Sequence, residues 1–116
     1  MNKPNNIFAV NLEHFQSQVL DASHQHPVLV DLWAEWCSPC RVIAPVLENL
    51  ALEFKETLSI AKIEVDEDDN MKIAGRYKVR GFPTLILFVN GKEYGRFSGA
   101  KPLGFIRNFI EQHADI

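Results

Sequence analysis

Many of the hydrophobic residues of the chain fall into short, nearly continuous runs, separated by stretches in which apolar residues recur at helical spacing. The runs lie at residues 7–10, 28–34, 58–65 and 84–89. Runs of this length are typical of strands covered on both faces of a sheet. Apolar side chains recur at helical spacing over about 12–22 and 38–54, and again after Pro102. A shorter helix is expected at about 68–77, ending near Gly75.

The predicted elements follow the order β-α-β-α-β-α-β-β-α. Strands that alternate with helices predict right-handed crossovers and parallel pairing. Asn90 and Gly91 predict a tight hairpin between the last two strands, which adds antiparallel pairing. The expected fold class is therefore α/β, a mixed central sheet with helices on both faces, in a single domain spanning residues 1–116. Residues 1–5 are polar and are expected to form a loose N-terminal segment.

Three residues indicate how the helices begin and bend. Asn11 precedes the first helix and has a side chain that can cap it. Pro45 lies inside the second helix, where proline removes a hydrogen bond and is expected to produce a kink. Pro102 suits the first turn of the last helix. The predicted inner face of that helix comprises Leu103, Ile106, Phe109 and Ile110.

The charge balance argues against a nucleic-acid partner, because 12 basic and 15 acidic side chains leave a net charge of −3. No apolar run approaches the roughly 18 residues of a membrane span. The apolar run at 7–10 is also shorter than the core of a secretory signal, which is about 7–15 residues long. We therefore expect a cytoplasmic protein that makes no membrane contact.

The only two cysteines, Cys37 and Cys40, lie where the central strand gives way to a helix. Unpaired N–H groups and the helix dipole favour a thiolate there, so the pKa of Cys37 should fall below its ordinary value. Cys40 lies one turn further along the same helical face. We expect an exposed attacking sulfur at Cys37 and a protected second sulfur at Cys40, a pair suited to thiol–disulfide exchange. Pro39 stiffens the connection between them.

Other interpretations of these residues are weaker. A zinc site requires two more ligands, which His24 and His26 could in principle supply, but these histidines are expected to be loop residues that face water. The two cysteines could also be inert core thiols. Alternating acids near Asp66 suggest a calcium loop, but the glycine and glutamate that such a loop requires are absent. We therefore expect no metal.

Asp31 is the second unusual residue, because a carboxylate in an apolar central strand loses its hydration. Its pKa should be raised, as a proton shuttle near neutral pH requires. We expect Asp31 to act as general acid and base, handling the proton of Cys40. A structural alternative is neutralisation by Lys62 on the neighbouring strand. The two interpretations are compatible, since Lys62 could tune Asp31.

Several stretches resemble the thioredoxin family over roughly residues 7–113: VLVDLWAEWCSPC, RVIAP, GFPTLILFVNG and the GA of SGAKP. The resemblance implies a thioredoxin fold and a protein-disulfide reductase. It also implies a cis-proline at Pro83 that faces the disulfide and prevents the thiols from capturing a metal. Client backbone would pair with Phe82, and Trp36 and Gly99 would complete the docking surface.

The family resemblance also implies an electron carrier with no cofactor beyond its own Cys37–Cys40 disulfide. NADPH and FAD would belong to a partner flavoprotein reductase, and oxidised client proteins would accept the electrons from what is expected to be a monomer. Ser38 stands where glycine is usual, so a hydroxyl near Cys37 could shift the reduction potential, with Pro39 and Lys62 as further tuning residues. Two alternatives remain: a binding or scaffold subunit with incidental redox activity, and a more oxidising disulfide donor.

Overall fold

The computed structural model describes residues 4–114 and 116. Its strands form one sheet in the order β1-β3-β2-β4-β5. The strands are β1 Ile7–Ala9, β2 Val28–Trp33, β3 Ser59–Glu64, β4 Thr84–Val89 and β5 Lys92–Ser98. The helices are α1 Leu12–Phe15, α2 Ser38–Glu53, α3 Met71–Arg76 and α4 Leu103–Ala114. Residues 1–3 of the expected loose segment lie outside the described residues.

Strand β2 lies at the centre of the sheet, and almost all of its side chains are buried. It pairs in parallel with β3, where Asp31 lies opposite Lys62. It pairs antiparallel with β4, where Asp31 lies opposite Leu85. Strand β1 adds a parallel edge beside β3, and β5 adds an antiparallel edge beside β4. These pairings confirm the mixed sheet.

The two faces of the sheet carry two hydrophobic clusters. On one face, Val28, Val30 and Leu32 pack in a cluster that includes Phe15 and Ile73, near α1 and α3. On the other face, Leu29 and Leu85 belong to a cluster formed largely by α2 and α4. Alternate residues of β2 therefore point to opposite layers, as strand geometry requires. The predicted helices on both faces are confirmed.

The first helix differs from the prediction. An α-helical turn at Leu12–Phe15 continues as a π-helical segment at Gln16–Asp21 and a 3-10 turn at Ala22–His24. The side chain of Asn11 does not cap the helix. Instead, the N–H of Leu12 donates to Oδ1 of Asn70, 2.7 Å away. The expected cap is therefore wrong, because a residue distant in the sequence takes that role.

The connections around the last two strands agree with the sequence pattern. Asn90 and Gly91 have φ values of 52° and 78°, the left-handed geometry of a tight hairpin turn. Pro102 immediately precedes α4, and its carbonyl accepts the N–H of Ile106 at 3.2 Å. On α4, Ile106, Phe109 and Ile110 are buried and Leu103 is half-buried. Pro45 lies inside α2, and the kink stays a prediction.

No helix within residues 4–114 and 116 is both long enough and apolar enough to cross a lipid bilayer.

Candidate active site

A disulfide joins Cys37 and Cys40 at the beginning of α2, with their Cα atoms 5.3 Å apart. Cys37 occupies the cap position of this helix in extended conformation, and Pro39 lies in the first turn. The Sγ of Cys37 accepts the N–H of Cys40 at 3.2 Å. The sulfur therefore already receives a hydrogen bond from one of the unpaired N–H groups at the helix start. The expected thiolate on Cys37 after reduction stays a prediction.

The exposure of the two cysteines differs from the prediction. Cys37 is 4% exposed and Cys40 is 3% exposed, so the expected contrast between an accessible and a protected sulfur is not present in this oxidised state. The bond itself contributes, because each sulfur covers part of the other. What distinguishes the two cysteines is their position, since Cys37 caps α2 and Cys40 lies inside it.

An exposed aromatic surface adjoins the disulfide. Trp36, immediately before Cys37, is 65% exposed. Its ring meets the ring of Phe82 edge to face, with centroids 5.9 Å apart. Its Nε1 donates to Oδ2 of Asp66 at 2.6 Å. The contact between Asp66 and Trp36 was not predicted, because Asp66 lies in a turn of several acids that look alike in the sequence.

Pro83 follows a cis peptide bond from Phe82, as the family resemblance implies. Its carbonyl accepts the N–H of Gly99 at 2.9 Å, which places the start of the 99–101 segment beside the cis-proline. Gly99 has a φ of +93°, a conformation that residues with a side chain rarely adopt. The structure thus brings Trp36, Phe82, Pro83 and Gly99 to the same end of the sheet as the cysteines.

Asp31 is 1% exposed, and its Oδ1 has no hydrogen-bond partner among the residues that the structure describes. Burial raises the pKa of Asp31 from its ordinary 3.8 to about 7, and the Lys62 ammonium opposes part of that rise. Asp31 lies on the same face of β2 as Leu29, whose cluster includes residues of α2. The carboxyl group is therefore directed toward the face on which most of α2 packs, whereas Cys37 and Cys40 belong to the cluster on the other face.

Lys62 does not simply neutralise Asp31. Its Nζ lies over the ring of Trp33, 4.9 Å from the centroid, in a cation–π contact. The Lys62 charge lowers the pKa of Asp31, but burial is the larger effect and the net direction is upward. Both predicted features of Asp31, its burial and its raised pKa, are confirmed.

Two further residues beside the cysteines, Ser38 and Arg41, are polar and exposed. Ser38 is exposed at the first position of α2. Arg41 donates from Nη1 to the carbonyl of Glu35 at 2.5 Å and so links α2 back to the segment before Trp36. This contact was also missed, because a backbone acceptor leaves no trace in a sequence pattern.

The histidines proposed as zinc ligands do not lie near the cysteines. Nε2 of His26 is 2.7 Å from Oγ of Ser59, which pairs with Val28 at the opposite end of β2. Within residues 4–114 and 116, no three His, Cys, Asp or Glu side chains cluster as a metal site would require. The geometry therefore disfavours the zinc interpretation.

A reactive cysteine pair at a helix start, next to a cis-proline on a mixed sheet, defines the class of thiol–disulfide oxidoreductases. Residues 6–112 match the family model described as Thioredoxin. The chain is 45% identical over 101 residues to a thioredoxin of Mycolicibacterium smegmatis, covering 87% of this chain and 88% of the relative. It is 40% identical over 106 residues to a thioredoxin of Chlorobaculum thiosulfatiphilum, covering 91% and 94%. The chain belongs to the thioredoxin family.

Membership of the family confirms the predicted thioredoxin fold and a protein-disulfide oxidoreductase function. It also implies, in general terms, that the protein exchanges electrons with a reductase and with client proteins. The compartment is not determined by the family. One relative, 42% identical over 105 residues and covering 90% of this chain and 72% of its own length, is the chloroplastic M-type thioredoxin of Chlamydomonas reinhardtii.

Proposed function

We propose that this protein is a cytoplasmic reductant of client disulfides, with Cys37 as nucleophile and Cys40 as resolving thiol. The Cys37 thiolate attacks a client disulfide, forms a mixed disulfide and releases one client thiolate. Cys40, deprotonated, then attacks Sγ of Cys37 and displaces the second client sulfur as a thiolate, which takes up a proton from water. The client gains two electrons, and the chain is left with the Cys37–Cys40 bond. The N–H of Cys40 donating to Sγ of Cys37 is the observation that supports this order of attack.

Single cysteine variants test this order directly. We expect Cys40→Ser to accumulate a mixed disulfide with a client such as insulin, because the first attack remains and the resolving thiol is lost. We expect Cys37→Ser to form no such adduct and to have no reductase activity. Non-reducing gels and mass spectrometry measure the adduct. Adduct formation through Cys40 alone would reverse the proposed roles.

We propose further that Asp31 takes the proton of Cys40 during resolution. The raised pKa of about 7 supports this role, because the carboxyl group can exchange a proton near neutral pH. Asp31→Asn should slow decay of the mixed disulfide by about a hundredfold, the lower end of general-base effects. Rapid-mixing kinetics should show a rate that rises with pH through about 7 in the original protein and loses that inflection in Asp31→Asn. An unchanged profile would contradict the role of Asp31.

The docking surface proposed for client proteins consists of Trp36, Phe82, Pro83 and Gly99. Two observations support this proposal: the exposed ring of Trp36 packs against Phe82, and the backbone N–H of Gly99 donates a hydrogen bond to the carbonyl of Pro83. Trp36→Ala should raise KM for a protein client more than for a small disulfide, because only the larger substrate extends onto the ring. Equal effects on both substrates would contradict a docking role.

The proposed partner for regeneration is a flavoprotein reductase that holds FAD and oxidises NADPH, and the chain itself would carry no cofactor beyond its disulfide. The proposed working form is a monomer that contacts neither nucleic acid nor a membrane. An assay that couples NADPH consumption to insulin reduction measures this transfer. A double variant, Cys37→Ser with Cys40→Ser, that still supports biological function would instead favour the binding-subunit alternative.

Ser38 is proposed to modulate the potential of this pair, supported by its exposed position next to Cys37 at the start of α2. A hydroxyl that stabilises the thiolate makes the protein more oxidising, and 30 mV corresponds to about 1.4 kcal/mol. Equilibration with glutathione should therefore give a more negative potential for Ser38→Gly. Identical potentials would reject an effect of Ser38. A potential in the range of disulfide donors would favour the oxidising alternative.

A further inference from the structure

The exposed ring of Trp36 is held at two points. Its Nε1 donates to Oδ2 of Asp66 at 2.6 Å, a contact between residues 30 positions apart. The ring edge also meets Phe82 at 5.9 Å between centroids. A side chain with 65% of its surface in solvent ordinarily has freedom to change rotamer. A hydrogen bond to a charged acceptor restricts that freedom.

The turn that carries Asp66 is itself anchored from inside the fold. Asn70 is completely buried, and its Nδ2 donates to the carbonyl of Glu64 and to Oδ1 of Asn11, both at 2.9 Å. Its Oδ1 accepts the N–H of Leu12. Both ends of the turn, Glu64 and Asn70, are therefore tied to each other and to the start of α1. Asp66 has a defined position although its own side chain is exposed.

We propose that Asp66 is a positioning residue for client proteins, holding the Trp36 ring in its docking orientation while Asn70 holds the turn. This inference rests on the proposed docking role of Trp36. A ring already held in place loses less conformational entropy when a client binds, so docking becomes tighter. The effect is assigned to binding, because Asp66 contacts the indole of Trp36, which belongs to the proposed docking surface.

The acidic surroundings of Asp66 offer a competing explanation based on charge alone. Burial raises the pKa of Glu64, and the neighbouring carboxylates of Glu67 and Glu35 raise it further, so several negative charges lie close together here. Removing any one of them changes the field that a charged client meets. The test must therefore separate the hydrogen bond from the charge.

Three variants make that separation. Asp66→Ala removes both the acceptor and the charge, Asp66→Asn removes the charge but keeps an acceptor oxygen, and Asp69→Ala removes a charge from the same turn. We expect Asp66→Ala to raise KM for a protein client about fivefold with kcat changed by less than about twofold, as loss of uniform binding predicts. Asp66→Asn and Asp69→Ala should keep KM close to that of the original protein.

A spectroscopic measurement checks the ring itself. The chain has two tryptophans, so its NMR spectrum contains two indole N–H signals. In Asp66→Ala the Trp36 signal should shift and exchange with water faster, while the Trp33 signal stays in place. Alkylation of reduced Cys37 should proceed at the original rate, because the contact that is removed is with the indole of Trp36.

Two results would overturn the inference: an unchanged KM in Asp66→Ala, or an equal rise in Asp69→Ala, which would assign the effect to charge. Neither result bears on the role of the cysteines. The single-cysteine variants test that role, and Trp36→Ala tests the docking role of Trp36. A failure of the inference can therefore be distinguished from a failure of the proposed function.

Discussion

Asp31 has a carboxyl group whose surroundings oppose its ionisation. The native state keeps its proton up to a pKa of about 7, whereas the ordinary value that applies to the unfolded chain is 3.8. Between those values the unfolded chain binds fewer protons than the native one. The free energy of unfolding therefore falls as pH rises through this window, and the loss is complete above it.

The first prediction follows from this decrease in the free energy of unfolding with rising pH. The original protein should lose on the order of 3 kcal/mol of unfolding free energy between pH 5 and pH 8 through this one group, and Asp31→Asn should lose much less. Urea denaturation of both proteins at the two pH values measures the difference. Parallel pH dependences in the two proteins would show that Asp31 ionises at its ordinary pKa.

Single residues differ in how clearly the sequence indicates their role. Cys37, Cys40 and Asp31 are identifiable because each is unusual where it stands, a close thiol pair or an acid within an apolar run. Asp66 is not, because its partner Trp36 is 30 positions away and its acidic neighbours look alike. The burial of Cys37 also escapes prediction, because it depends on the packing of the folded chain.

At the scale of elements, α3 ends in a conformation that glycine would favour. Lys78 has a φ of 57°, and the N–H of Val79 reaches back to the carbonyl of Ala74 at 2.9 Å. This is the geometry of a Schellman cap, in which the left-handed residue is usually glycine. A lysine there is strained, because its Cβ approaches the backbone.

The second prediction is that Lys78→Gly stabilises the protein by about 0.5–1 kcal/mol. The substitution relieves backbone strain in the folded state, and the greater conformational entropy of glycine in the unfolded chain offsets part of that gain. The matched control is Lys72→Gly, inside α3, which should destabilise by about 0.5–1 kcal/mol. Urea denaturation measures both. A loss of stability in Lys78→Gly would mean that the lysine side chain makes a compensating contact.

The third prediction concerns Asn70, which connects α1, β3 and α3. Asn70→Ala leaves the N–H of Leu12 and the carbonyl of Glu64 without their partner, so we expect a loss of about 2–4 kcal/mol. Asn5→Ala, at an exposed position, should change stability by less than about 0.5 kcal/mol. Thermal or urea denaturation compares them. A small loss in Asn70→Ala would show that water replaces the missing amide.

The elements themselves were predictable to different degrees. The strands at Val28–Trp33 and Thr84–Val89 agree closely with their apolar runs, because burial on both faces leaves a continuous signal. The π-helical segment at Gln16–Asp21 was not predicted, because the sequence pattern there also fits an ordinary α-helix. The cap on Leu12 required knowledge of which distant residue lies nearby.

At the scale of the molecule, the alternation of strands and helices was sufficient to predict a mixed sheet with two helical layers. The strand order β1-β3-β2-β4-β5 could not be predicted in the same way, because the apolar runs do not indicate which strands are neighbours in the sheet. That order puts the strand preceding the cysteines at the centre. The disulfide is consequently attached to the most completely surrounded part of the sheet.

The fourth prediction compares the oxidised and reduced molecules. The disulfide closes a loop between residues separated by only three positions, so its effect on the unfolded chain is small for a disulfide. The loop-entropy relation gives an advantage of about 2 kcal/mol to the oxidised form. Urea denaturation with and without a reductant measures the difference. Greater stability in the reduced form would show that thiolate contacts in the native state outweigh the loop constraint.

The burial of Asp31 also bears on how freely this sequence can evolve. Ionisation of Asp31 lowers the free energy of unfolding, and it does so only on the alkaline side of its titration. A substitution elsewhere that is harmless in mildly acidic surroundings can therefore become disabling in alkaline ones. The chain should therefore tolerate a wider range of further substitutions at pH 5 than at pH 8.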